Sequence, residues 1–197
     1  MSLQIAYNKI ALQGLEKALK IRESALSTIR SKESALRTEV KKQLLVLKEV
    51  HQALLDHQQE GERFAGLWSE WDTSLVSVHH IQTRTGSFAG VRYRIFERAD
   101  ISERPFDFRS NPPWWPQGVS YVKQAYTLQI RYKLQKEFLD KLEKERKKTT
   151  QKLNLYEKVQ IPECREGIRK IKRFLEDQET LEKATQKIVK KKKSNLS

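Results

Sequence analysis

Four histidines, one cysteine, a tryptophan pair and a run of lysines are the residues of this 197-residue chain whose chemistry could be put to work. His79 and His80 are adjacent, and neighbours on a strand point to opposite faces, so the two cannot readily share one ion. His51 and His57 lie six apart in a helical stretch and share a face poorly. No cluster of cysteines or carboxylates completes a tetrahedral set, so no metal site is expected. Neither Gly-x-x-x-x-Gly-Lys-Ser/Thr nor Gly-x-Gly-x-x-Gly occurs, so no nucleotide or cofactor site is expected. Gly-x-Ser-x-Gly is also absent, and no nucleophile has an evident base. Cys164 stands close to Pro162 in an apolar helical seam and reads as a small buried hydrophobe rather than a reactive thiol. Trp114-Trp115 supplies either core for a small lobe or a docking face, with at least one ring expected in the core. Lys190-Lys191-Lys192-Lys193 could bind nucleic acid or lipid, but such runs are usually solvated tails. Catalytic, cofactor and metal residues are therefore expected to be absent, and an enzyme is the least supported class.

The elements that carry these residues are mostly helical. Charged residues make up 32% of the chain and the hydrophobic class 38%, with only 7 Gly and 5 Pro. Such a composition, rich in Ala, Glu, Lys, Leu and Arg, reads as long helix or coiled coil. The formal net charge of +14 favours an acidic partner: nucleic acid, an anionic membrane or an acidic protein surface. A single cysteine allows no intrachain disulfide. The opening Met1-Ser2-Leu3-Gln4-Ile5 lacks the layout of a signal peptide. No apolar run approaches the roughly 20 residues of a membrane helix. The expected protein is soluble, or held at a membrane only through partners.

Residues 1–62 repeat every seven. Ile5, Leu12, Leu19, Leu26, Val40, Leu47 and Leu54 share one heptad position, with Glu33 as the exception, and Leu15, Ile29, Leu36 and Val50 fall three residues on. A sustained 3.5-residue period keeps an apolar stripe facing a partner helix. One helix of about 80 Å follows at about 1.5 Å per residue, starting near residue 5, with Gly61 as a stop signal. Its polarity requires that the stripe be packed on something.

Residues 63–117 change in texture. Phe64, Trp68 and Trp71 introduce aromatics, and β-branched runs at 74–78, 81–83 and 91–96 surround Gly86 and Gly90, which predicts a hairpin. Three prolines among residues 111–116 predict a non-helical segment there. Residues 118–197 resume a helical pattern. Tyr126, Ile130, Leu134, Phe138 and Leu142 recur every four residues, and residues 143–152 contain no member of the apolar stripe. Ile161, Ile168, Ile171 and Leu175 then continue it, with Pro162 expected to bend the helix without necessarily ending it. The fold class is mainly α: a long antiparallel two-helix coiled coil with a small inserted lobe containing a β-hairpin. Its expected seam comprises Leu12, Leu19, Leu26, Ile29, Leu36, Val40, Leu47, Ile161, Ile168, Ile171 and Leu175. In such a hairpin Glu33 should face the region from Lys147 to Lys152, because a buried carboxylate needs a charge partner or water.

The segment Gln151-Lys152-Leu153-Asn154-Leu155-Tyr156-Glu157, followed by Val159, Ile161-Pro162, Ile168, Ile171, Leu175 and Glu176, resembles the D subunit of the V/A-type ATPases. That family shows two basic residues, an aliphatic, Asn, two apolar or small residues and Glu, then Ile-Pro, Ile-x-x-Ile and Leu-Glu. Asn8, Leu12, Leu15, Leu19 and Lys32 match it near the start. Gln151 replaces an Arg, Leu155 a small residue and Cys164 a larger aliphatic, and the chain is similar to the bacterial branch. The resemblance implies a non-catalytic central shaft inside a ring of A and B subunits, which hydrolyse or make ATP. It implies a lobe end that binds the small F subunit and the socket subunit on the membrane ring, and rotation that couples ATP to proton or sodium movement. It places the chain in the cytoplasm, at the membrane only through the complex and with no direct contact to nucleic acid. Lys152, Asn154 and Glu157 become candidates for partner contact, beside Trp114 and Trp115. Two alternatives compete on the residues alone: a basic coiled-coil protein that binds nucleic acid, and a structural adaptor without a motor.

Overall fold

In a computed structural model of the chain, residues 6–107 and 109–194 are described. The element order is α1 (Lys9–Glu62), β1 (Val76–Phe88), β2 (Val91–Glu103), α2 (Trp115–Leu155), a π-helical turn (Tyr156–Gln160) and α3 (Ile161–Ser194). The chain is mainly helical, with a two-stranded antiparallel sheet between its long helices. No helix is long and apolar enough among the described residues to cross a membrane.

Helix α1 begins where Asn8 can cap it: the Asn8 Oδ1 accepts the Ala11 N–H at 2.7 Å. It runs through Gly61 to Glu62. Helix α2 starts earlier than the prolines suggested. Pro116 stands in its first turn, where the missing N–H would have had no helical partner anyway. Pro162 likewise neither ends nor interrupts the helical run. The preceding turn widens to π geometry, with the Ile161 N–H on the Tyr156 carbonyl, and α3 carries Pro162 in its first turn. The lysine run is helical. Helix α3 continues through it to Ser194, as helix-favouring cations near a helix C-terminus allow.

The hairpin is longer than the β-branched runs indicated. Its turn is Ala89-Gly90, both at positive φ (48° and 86°), the geometry a two-residue hairpin turn needs. Gly86 is a strand residue rather than a turn residue. It pairs with Tyr93, and a Cβ there would stand 2.7 Å from the Tyr93 Cζ, so the missing side chain admits the ring. The register shifts between Val78 and His80 and again between Gln82 and Thr83.

The chain divides into two compact units. The first comprises the described parts of Met1–Glu33 and Lys148–Ser197; the second is Ser34–Lys147. In the first, α1 and the C-terminal helices are antiparallel: Arg22 bonds Gln160, Glu23 meets Arg165, Glu16 meets Lys172, and Tyr7 contacts Phe174. From Arg22–Gln160 through Glu16–Lys172 to Tyr7–Phe174 the number falls on α1 as it rises on the partner. In the second unit two apolar clusters form the core. Leu36, Val91, Phe138 and Leu142 join the hairpin tip to the helices. Leu75, Val76, Trp115 and Val119 join the strand base to the start of α2.

Candidate functional site

The expected seam residues are buried to different depths in each of the two units. In the first unit Ile161, Cys164 and Ile171 are buried, with Ile171 fully inaccessible. Leu12, Leu19, Leu26, Ile29, Ile168 and Leu175 are half-buried. In the second, Leu36 is fully buried while Val40 and Leu47 are half-buried. The four-residue stripe on α2 drifts, because four residues overshoot one 3.6-residue turn. Leu134, Phe138 and Leu142 are therefore buried while Tyr126, at the start, is 37% exposed.

Glu33 is 5% exposed, and Thr150 Oγ1 donates to its Oε1 at 3.2 Å; Thr149 beside it is 6% exposed. The segment lacking apolar residues is thus met by the polar exception of the α1 heptads, as a buried carboxylate demands. Such a polar layer fixes register in a paired helix better than another leucine would.

The motif residues follow Thr150 within a turn or two. Lys152 is exposed, its ammonium 5.8 Å from the centroid of the Tyr156 ring. Asn154 is exposed. Glu157, inside the π turn, is bound at 2.7 Å by Arg30 of α1. Widening by one residue at the turn puts Glu157 and Gln160 against Arg30 and Arg22. All three belong to the first unit, whereas Trp114 and Trp115 belong to the second.

Around those tryptophans the second unit gathers most of its rings. Trp115 is 6% exposed and meets Phe106 edge-on, so it is core. Trp114 is half-buried, its Nε1 donating to Glu70 at 3.2 Å, with Trp68, Trp71 and Phe64 within 5.3–6.2 Å between centroids. Gly118 is buried beneath Trp71 and Trp114.

Spacing alone presents His57 only as a metal ligand and conceals its role. His57 is 4% exposed and stacks on Tyr121, with centroids 4.1 Å apart. The Tyr121 hydroxyl donates to the His57 carbonyl at 2.8 Å, and the His57 Nε2 meets the Tyr121 carbonyl at 3.0 Å. Gly61 is the available cue: a Cβ there would overlap the Tyr121 hydroxyl. Burial pushes the Tyr121 phenol up, and the Glu60 carboxylate adds to the shift.

His79 sits at the first register shift, its Nε2 bonded to the hydroxyls of Ser102 (2.6 Å) and Ser77 (3.1 Å). Among the described residues no group of three or more His, Cys, Asp or Glu could hold a metal ion. At the base of the lobe, Asp72 accepts from the Ser74 N–H at 2.8 Å and from Arg104 at 2.6 Å, which together hold its carboxyl below the ordinary range.

The chain matches the family described as the ATP synthase D subunit over residues 11–191. It is 31% identical over 117 residues to the D subunit of the V-type ATP synthase of Borreliella burgdorferi, a match spanning 59% of this chain and 58% of that relative. Against the V-type ATP synthase D subunit of Chlamydia abortus it is 25% identical over 197 residues, 98% of this chain and 95% of the relative. The protein of the same description from Chlamydia pneumoniae is 26% identical over 98% of this chain and 94% of its own length.

Proposed function

We propose that this chain, which belongs to the ATP synthase D-subunit family, is the central rotor shaft of a V-type rotary ATPase and carries no catalytic residue of its own. A member of that family is one subunit of a larger complex and works with other subunits. The observation that carries the shaft reading is helix α1. It is unbroken over 54 residues, its heptad positions from Leu12 to Leu47 are buried or half-buried, and its outer surface is mostly polar or charged, with Ile10, Ile21, Leu44, Leu45 and Leu55 as scattered exposed apolar residues. A continuous paired helix supplies stiffness. A charged outer surface can pass a surrounding ring without the large apolar dock that would hold one angle.

On this reading residues 1–62 and 118–197 form the shaft, which stands within a ring of A and B subunits. Residues 63–117 form a lobe whose end meets the small F subunit and the socket on the membrane ring. Turning of the shaft links ATP hydrolysis or synthesis to proton or sodium movement. The interleaved pairs Arg30–Glu157, Glu23–Arg165 and Glu16–Lys172 support this reading over a nucleic-acid binder, because they neutralise bases that a phosphate backbone would need.

A bead attached to the lobe of this chain, in a complex whose A/B ring is fixed to glass, tests the proposal. The expected result is rotation in one direction that requires ATP. ATP turnover at the normal rate with a stationary bead would sink it.

A further inference from the structure

We infer that a cleft between the hairpin and the helices of the second unit receives an acidic, apolar peptide segment of a partner protein. The inference rests on the chain working within a complex, not on its turning as a shaft.

The cleft measures about 400 Å³, at the small end of the range for specific ligand sites, and takes its walls from α1, β2 and α2. Its apolar side includes Leu134 and Phe138, both buried, and the half-buried Val50, Ile95 and Phe96. Tyr93 backs it, stacked on Phe138 at 3.6 Å between centroids.

Two polar groups converge on this apolar body. Arg131 is exposed and holds its guanidinium 5.3 Å from the centre of the Phe96 ring. Among the described residues no carboxylate pairs with it, whereas Arg94 on the same cleft is bound by Glu137 at 2.7 Å. A guanidinium laid on a ring keeps its N–H edge open to a carboxylate. The second group is Gln135, and its amide orientation follows from a relay. Gln43 Nε2 donates to the Glu39 carboxylate at 2.6 Å, so the Gln43 Oε1 is the acceptor for Gln135 Nε2, also at 2.6 Å. Both bonds of Gln135 among the described residues use its Nε2, the second reaching the Gln43 carbonyl at 3.4 Å. Its Oε1 therefore remains an acceptor.

A fitting ligand carries a carboxylate for Arg131, an N–H for the Gln135 Oε1 and an apolar group for Phe96, Leu134 and Phe138. Successive residues of a polypeptide supply all three: an Asp or Glu, a main-chain amide and an aliphatic or aromatic side chain. The net charge of +14 also draws acidic protein surfaces to this chain. Because the walls come from three elements, occupancy would tie β2 to both helices.

The test uses 8-anilinonaphthalene-1-sulfonate, an apolar anion, as a fluorescent probe on the full chain alone and on the purified complex. Arg131→Gln should weaken probe binding by about tenfold or more, the loss expected of a charge-assisted contact. Arg173→Gln, the same charge change on an exposed arginine of α3, should leave it unchanged. In the complex the Arg131-dependent binding should vanish. A photoreactive benzoylphenylalanine at Ile95 should there cross-link to a partner segment containing Asp or Glu beside an apolar residue. Probe binding that ignores Arg131 overturns the site. Equal Arg131-dependent binding in chain and complex means an open small-molecule site and overturns the peptide occupant. So does a cross-link confined to this chain or to a segment without a carboxylate.

Discussion

The two units use one helix, α1, in different ways. Below Glu33 it contributes half-buried aliphatic residues to a narrow seam whose edges are fastened by ion pairs and whose end is a buried polar layer. Beyond Ser34 it contributes to a core where hairpin, helices and rings interlock in two apolar clusters. A heptad stripe is repetitive, so each layer resembles the next, and polar groups must set the register. An aromatic core is different at every position, so it sets its own register but tolerates little change.

The largest effect should separate these two kinds of core. Trp115→Ala should cost about 3–5 kcal/mol, because its ring is enclosed by Leu75, Val76, Val119 and Phe106. Ile171→Ala, fully buried in the seam, should cost about 2–5 kcal/mol. Half-buried Leu175→Ala should fall clearly below both. Denaturant unfolding of the full chain measures all three. Leu175→Ala costing as much as Trp115→Ala would erase the distinction drawn between seam and core.

Next in size is Gly61→Ala. A methyl group there would overlap the Tyr121 hydroxyl, and the Tyr121 ring cannot retreat because it is stacked on His57 and bonded to the His57 carbonyl. Overpacking of this kind costs about 1–3 kcal/mol. Gly14→Ala, where nothing stands within 4 Å, should be neutral or stabilising. A thermal melt in which the two substitutions behave alike would show that the clasp yields freely.

The sequence carries the regular parts of this architecture legibly and hides the particular ones. The heptads from Leu12 to Leu47 and the loss of apolar residues at 143–152 are periodic features, and periodicity is legible without coordinates. The placing of Glu33 against Thr150 follows from them. Prolines mislead at one site: Pro116 looks like a breaker although the first helical turn has no use for its N–H. Gly86 looks like punctuation, since a glycine admitting a ring from the opposite strand resembles, in one dimension, a glycine in a turn. The cleft around Arg131 is invisible for the same reason. Its walls lie far apart in the chain, and only β2 folding against the helices brings them together.

A smaller effect probes the seam's edge. Arg30 and Glu157 are 60% and 43% exposed, so their bond at 2.7 Å should be worth no more than about 1 kcal/mol. A double-mutant cycle with Arg30→Ala and Glu157→Ala isolates that coupling. A coupling energy several times larger would mean that the widened π turn depends on the pair, and that the edge rather than the stripe holds the first unit together.

The smallest effect is electrostatic and belongs to the lobe's base. Asp72 is held below its ordinary value of 3.8, first by the Ser74 N–H, then by the Ser74 hydroxyl and by Arg104. A carboxyl whose pKa is lower in the folded state binds fewer protons there than in the unfolded chain. Its contribution to stability is therefore complete above the ordinary value and is lost as pH falls through the folded one. Glu137, held down from 4.5 chiefly by its bond to Arg94, acts in the same direction. Both carboxylates are solvent-facing, so screening should keep each contribution small and make it shrink further in high salt. Asp72→Asn should lower the melting temperature slightly at neutral pH and should flatten its decline as the solution is acidified through pH 3.8. The amide oxygen can still accept the Ser74 N–H, so the turn itself should survive, while the amide NH2 cannot accept from Arg104, so the difference should report the loss of that charged bond. Wild type and variant declining in parallel through that range would assign the acid sensitivity to other carboxylates and leave the Asp72–Arg104 pair a matter of geometry.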